Sequence, residues 1–201
     1  MGLVKRAAAA AACVAVAVGL WSAPGTAARK PRVTFIGDSV SASINYVPQA
    51  RRYLQHRFDI RFDLAVCRRL VAASCFYQGV QPPTALQEVY ARRGSLGRIA
   101  VIDVGYNESA STYRAALDRV MRALVGSGVR EVVWVTLRAT TGNYALINQV
   151  IRRAAHRWRQ LHVADWNAWS HGEPWFGSDG LHLNAAGALG LARLVGKTIA
   201  A

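Results

Sequence analysis

Lysine, acidic residues and cysteine are all scarce in this chain. Of its 25 basic residues only Lys5, Lys30 and Lys197 are lysines, and with 11 acidic residues against them the formal charge is +14 and almost entirely arginine. There are three cysteines. Cys13 has no lipobox around it, and Cys67 and Cys75 have no third soft ligand nearby, which argues against a thiolate zinc site. Internal repeats and low-complexity linkers are missing, and beyond the first residues no stretch approaches a membrane span. A hydrophobic share of 52% with 18% charged residues excludes a disordered or fibrous chain. The 201 residues suffice for one domain with a real core.

What is present begins with an export pattern. Met1 to Arg6 carries two positive charges, Ala7 to Trp21 is an unbroken apolar run, and small residues with helix breakers follow up to Ala28. This is the order of a secretory signal peptide, residues 1–28, cleaved after Ala27 or Ala28. An alanine-rich run of this length falls short of the roughly 20 residues needed to cross a bilayer, so no stable span is expected after cleavage. Residues 29–201 would then form a single exported, soluble domain. In an oxidising compartment the pair Cys67 and Cys75 is expected to form a disulfide.

The rest alternates short β-rich runs with amphipathic helical patterns. Strands are expected at 32–36, 60–66, 98–104, 131–137 and 161–164, the third and fourth nearly continuous apolar runs suited to burial on both faces. Tyr113, Leu117, Val120, Met121 and Leu124 share one helical face, as do Tyr144, Ile147, Ile151, Ala154, Ala155 and Trp158. Pro82-Pro83 is read as opening another helix, and Asn184 to Thr198 as the last. Strand-helix repetition implies right-handed crossovers and a parallel sheet covered on both faces, with its active site at the carboxyl ends of the strands.

Three groups stand at such ends. Gly37-Asp38-Ser39 follows the first strand, where a serine in a strand-to-helix turn exposes its hydroxyl, although the same residues also make an ordinary turn and cap. Gly105-Tyr106-Asn107 follows the third, where the asparagine amide can face an oxyanion or simply cap a helix. Asp179 and His182, three residues apart before the last helix, suit a general base and its orienter, or a loop acid and a surface histidine.

Taken together and in this order, these groups resemble the motif blocks of the SGNH, or GDSL-type, hydrolase superfamily over Val33 to about Val195. The resemblance implies a flavodoxin-like three-layer α/β/α sandwich with a parallel five-stranded sheet. It also implies a serine esterase acting on a short-acyl ester through an acyl-enzyme, without metal or cofactor. Ser39, Asp179 and His182 would be catalytic, and Ser39 and Asn107 would hold the oxyanion. Within the superfamily, Asp165-Trp166, Trp175-Phe176 and Asp179 to Leu183 look like the extracytoplasmic SGNH domains attached to membrane acyltransferases, those of peptidoglycan O-acetyltransferases among them. That likeness adds an O-acetyltransferase acting on cell-envelope glycan as an alternative, working alone or with a separate membrane acyltransferase. A non-catalytic envelope-binding module is a third reading. One departure stands out: the second block's glycine is replaced by Ala65-Val66-Cys67-Arg68-Arg69. A backbone N–H near Arg68 is therefore read as the third oxyanion donor, with a Cys67–Cys75 bridge bracing its loop.

Arg68, Arg69 and Arg138 fall on the expected catalytic rim, where they could clamp an anionic substrate or remain solvated. Trp175 and its aromatic neighbours could line a sugar or acyl pocket or pack the loop down. Asp103 and His156 match no block and are read as structural. The other arginines are spread over several helices with no run and no binding module, so an anionic envelope is the expected partner and nucleic acid is not.

Overall fold

In a computed structural model of the chain, residues 1–2 and 29–201 are described; the expected signal peptide lies almost wholly outside them. Five strands, β1 (Arg32–Gly37), β2 (Asp59–Leu64), β3 (Ile99–Asp103), β4 (Glu131–Val135) and β5 (Leu161–Ala164), form one sheet of order β2-β1-β3-β4-β5. Every neighbouring pair is parallel. The helices are α1 (Ser39–Ala42), running on into a 3-10 turn (Ser43–Tyr46), α2 (Pro48–Arg57), α3 (Ala85–Ala91), α4 (Ala110–Gly126), α5 (Gly142–Arg157), α6 (Trp166–Trp169) and α7 (Ala185–Ile199).

Because successive side chains leave a strand on opposite faces, each central strand supplies two cores. Ile36, Ile102 and Trp134 meet α3, α4 and α5, while Val33, Phe35, Val101 and Val133 meet α2 and α7. The result is a three-layer α/β/α sandwich. The apolar spacing on α4 is realised in full: Tyr113, Leu117, Val120, Met121 and Leu124 are all buried. The one polar atom of the Trp134 side chain is satisfied, its indole N–H donating to the Tyr113 hydroxyl at 3.0 Å, which itself donates to the Val104 carbonyl at 2.7 Å.

One helix start differs from expectation. Pro82-Pro83 lies outside α3, which begins two residues later. The Thr84 hydroxyl accepts the Gln87 N–H and the Gln87 side chain accepts the Thr84 N–H, a reciprocal cap that sets the first turn. Among the described residues no helix is long and apolar enough to cross a membrane.

Candidate active site

β1 ends at Gly37 and α1 begins at Ser39, with Asp38 as the cap between them. One Asp38 oxygen accepts the Val40 N–H at 3.1 Å. The other accepts the N–H groups of Gly105 and Tyr106 at 2.9 and 3.1 Å, drawing the turn that carries Asn107 against the turn that carries Ser39. Full burial pushes the Asp38 carboxyl up to about 6, although these three N–H groups and nearby His182 pull it down. Asp103, buried at the end of β3, is raised well above the ordinary carboxylate range by burial and by the charge of Asp38.

The other half of the site comes from the loop before α7. His182 Nδ1 lies 2.6 Å from an Asp179 oxygen, and His182 Nε2 lies 3.1 Å from the Ser39 hydroxyl. The second Asp179 oxygen accepts the N–H groups of Leu181 and His182 at 2.9 and 3.0 Å. The hydrogen bond from the imidazole, and then those from the two backbone groups, pull the Asp179 carboxyl down to about 2. The His182 and Asp179 side chains are 49% and 51% exposed, so this line of groups sits on open surface.

Local packing explains how the loop is held. The Gly177 N–H donates to the His182 carbonyl at 2.8 Å and the Asn184 N–H to the Trp175 carbonyl at 3.0 Å, folding the segment into a narrow hairpin. The Asn184 side chain then caps α7 through the Gly187 N–H at 3.0 Å. Trp175 packs the loop down, one of the two roles the sequence allows it. Its ring stacks on Trp166 at 5.6 Å and lies flat on α7, where a Cβ on Gly190 would stand 2.8 Å from it. It keys the loop to the helix. Arg138 is engaged as well: its guanidinium stacks on Phe176 at 3.5 Å and donates to the Gly180 carbonyl, clamping the loop from the side of β4.

The expected third oxyanion donor is also committed elsewhere. The Arg68 N–H closes a turn onto the Ala65 carbonyl at 3.4 Å, and its buried side chain bridges Asp63 at 3.0 Å and Glu88 at 3.7 Å. The Arg69 guanidinium pairs with buried Glu108 at 3.2 Å. Neither arginine is a free clamp on the rim. What Arg68 does offer is its carbonyl, which accepts one Asn107 amide hydrogen at 3.3 Å. Within the Ala65 to Arg69 segment, Cys67 has φ +70°, a left-handed conformation that side chains rarely adopt. Its disulfide to Cys75 closes the loop.

Sequence reasoning missed Asp38 as the tie between the two turns, although it stands inside the quoted Gly37-Asp38-Ser39. It also missed the acids Asp63, Glu88 and Glu108, for which no local pattern signals a partner arginine.

No protein-family model matches the chain. The chain is 27% identical over 172 residues to O-acetyltransferase OatA of Staphylococcus aureus, a match covering 85% of this chain and spanning about a quarter of that relative's length (25%). Among solved structures, the C-terminal catalytic domain of Streptococcus pneumoniae peptidoglycan O-acetyltransferase A superposes with TM-score 0.63 at 20% identity, over 86% of this chain and 93% of that one. The psychrotrophic esterase EstA from Pseudoalteromonas sp. superposes with TM-score 0.62 at 13% identity, over 85% and 97%.

Proposed function

From the SGNH hydrolase fold of this chain, we propose a serine esterase that hydrolyses short-acyl esters through an acyl-enzyme. The observation that carries the reading is the unbroken line from Ser39 through His182 to Asp179, with gaps of 3.1 and 2.6 Å. His182 Nε2 takes the hydroxyl proton as Ser39 Oγ bonds to the ester carbonyl carbon. The carbonyl oxygen becomes an oxyanion held by the Ser39 N–H and the free Asn107 amide hydrogen. His182 returns the proton to the departing alcohol, and the acyl group stays on Ser39. A water then gives a proton to His182 and adds to the acyl carbon, and collapse releases the acid and restores the serine. Asp179, ionised throughout, keeps Nδ1 protonated and stabilises the imidazolium in both halves.

The open position of the site suits an ester carried on a bulky alcohol such as an acylated glycan. The likeness to OatA supports a second reading in which a glycan hydroxyl takes the place of water, making the chain an O-acetyltransferase, alone or with a separate membrane acyltransferase. The signal-peptide pattern and the disulfide support an extracytoplasmic location.

The test is hydrolysis of p-nitrophenyl acetate against longer acyl esters by the purified protein. Turnover should fall with acyl length, and Ser39→Ala should lower it roughly 10⁴-fold or more. A serine-directed phosphonate should label the wild type at Ser39. Labelling without hydrolysis, together with transfer to an added glycan, would put the transferase first. Neither turnover nor labelling would sink both.

A further inference from the structure

The far edge of the sheet carries a feature that ester chemistry leaves unused. Three neighbouring strands are each entered through an arginine: Arg32 opens β1, Arg98 precedes β3 and Arg130 precedes β4. Neighbouring strands lie about 4.8 Å apart, so these side chains start from a row of closely spaced points. They line a cavity of about 510 Å³ together with Arg29 and Lys30. A second cavity of about 540 Å³ shares Arg32 and adds Arg51 and Arg61.

Among the described residues, Asp59 and Glu131 are the carboxylates that line the first cavity beside its five cations. Asp59 is engaged by Arg32 at 3.3 Å. Among the described residues neither Arg98 nor Arg130 pairs with a carboxylate, whereas Arg68, Arg69, Arg92, Arg152 and Arg157 all do. The floor is firmly built. The N–H groups of Arg130 and Glu131 both donate to the Arg98 carbonyl, at 2.8 and 3.1 Å. Gly97, at φ +83°, lets that chain pass so close that a Cβ would stand 2.5 Å from the Arg32 carbonyl oxygen.

A guanidinium takes two oxygens of a phosphate at once and stays charged at any relevant pH, as does a phosphodiester. The continuation into a second basic cavity fits an extended chain of such groups better than a single ion. Arg32 and Ser39 stand at opposite ends of β1, about 20 Å apart at the usual rise per residue, so a ligand here is docked and not transformed. We propose that this arginine-lined edge is a docking site for a phosphodiester polymer of the cell envelope.

The probe is a fluorescent poly(glycerol phosphate), its binding to the purified protein followed by anisotropy at about 0.1 M salt. R98A/R130A should weaken binding about tenfold or more, while R119A/R122A, an exposed pair on α4, should change it by less than about twofold. R98K/R130K keeps the charge but not the fork and should also weaken binding. All three variants should melt with the wild type, since among the described residues the side chains of Arg98, Arg119, Arg122 and Arg130 make no hydrogen bond or ion pair. Equal losses in the two alanine pairs would overturn the site and leave only diffuse charge. Equal affinity for polyglutamate of matched charge, full affinity in R98K/R130K, or tighter binding of duplex DNA at equal phosphate would overturn the assignment of the ligand.

Discussion

Asp38 and Asp179 flank the same serine, and both accept backbone N–H groups, three for Asp38 and two for Asp179. They nevertheless move in opposite directions, Asp38 up to about 6 and Asp179 down to about 2. The difference is water. Asp38 is fully buried, and desolvation outweighs its three donors; Asp179 stays half in solvent, where its donors and the imidazole act with little opposing cost. One aspartate is thereby held as an anion beside the His182 ring. The other is a knot in the fold that takes up a proton under mildly acid conditions.

This contrast can be broken at either end. The largest effect belongs to D179N, which removes the anion but keeps an oxygen for the Leu181 and His182 N–H groups. kcat for p-nitrophenyl acetate should fall roughly 10⁴-fold with little change in melting temperature; a loss under tenfold would mean that Asp179 does not orient the base. Next comes N107A, where kcat should fall roughly 10²- to 10³-fold with KM nearly constant. An effect confined to KM would move Asn107 from the oxyanion to ground-state binding. D38N turns an amide NH₂ toward backbone donors in a buried place and should cost about 1–3 kcal/mol in chemical denaturation. Stability equal to wild type would deny Asp38 its role as the tie.

The smallest effect is a slope. In the fold Asp103 keeps a proton that the unfolded chain gives up near 3.8. As pH rises above that value the unfolded state binds fewer protons than the native one, so Asp103 lowers stability progressively until its own folded pKa is passed. The amide that D103N introduces has no such proton to lose. The melting temperature of D103N should therefore gain on that of wild type as pH rises above about 4. Parallel melting curves would show that Asp103 titrates as an ordinary acid.

Much of the fold was legible because its cause is local. The five β-rich runs, the faces of α4 and α5, and Asn184 before α7 can all be read from neighbours a few positions away. So could the residues now found in line, since Gly37-Asp38-Ser39 and the Asp179 to His182 spacing are short patterns. What was not legible involves distant partners. Arg68 and Arg69 looked like free rim charges because Asp63, Glu88 and Glu108 reach them only through the fold. Arg138 and Trp175 looked available because Phe176, Gly180 and the glycines of α7 close over them in three dimensions. The left-handed backbone of Cys67 was hidden as well, because no pattern of side chains reveals it.

The packing of Trp175 onto α7 also has a consequence for the order of synthesis. Ser39 and His182 are 143 residues apart in the chain, and the hairpin bearing His182 is seated by a helix that follows every other described element. A ribosome delivers the hydroxyl and Asn107 long before it delivers the helix that sets the base in place. The line from Ser39 through His182 to Asp179 is thus completed only when α7 docks.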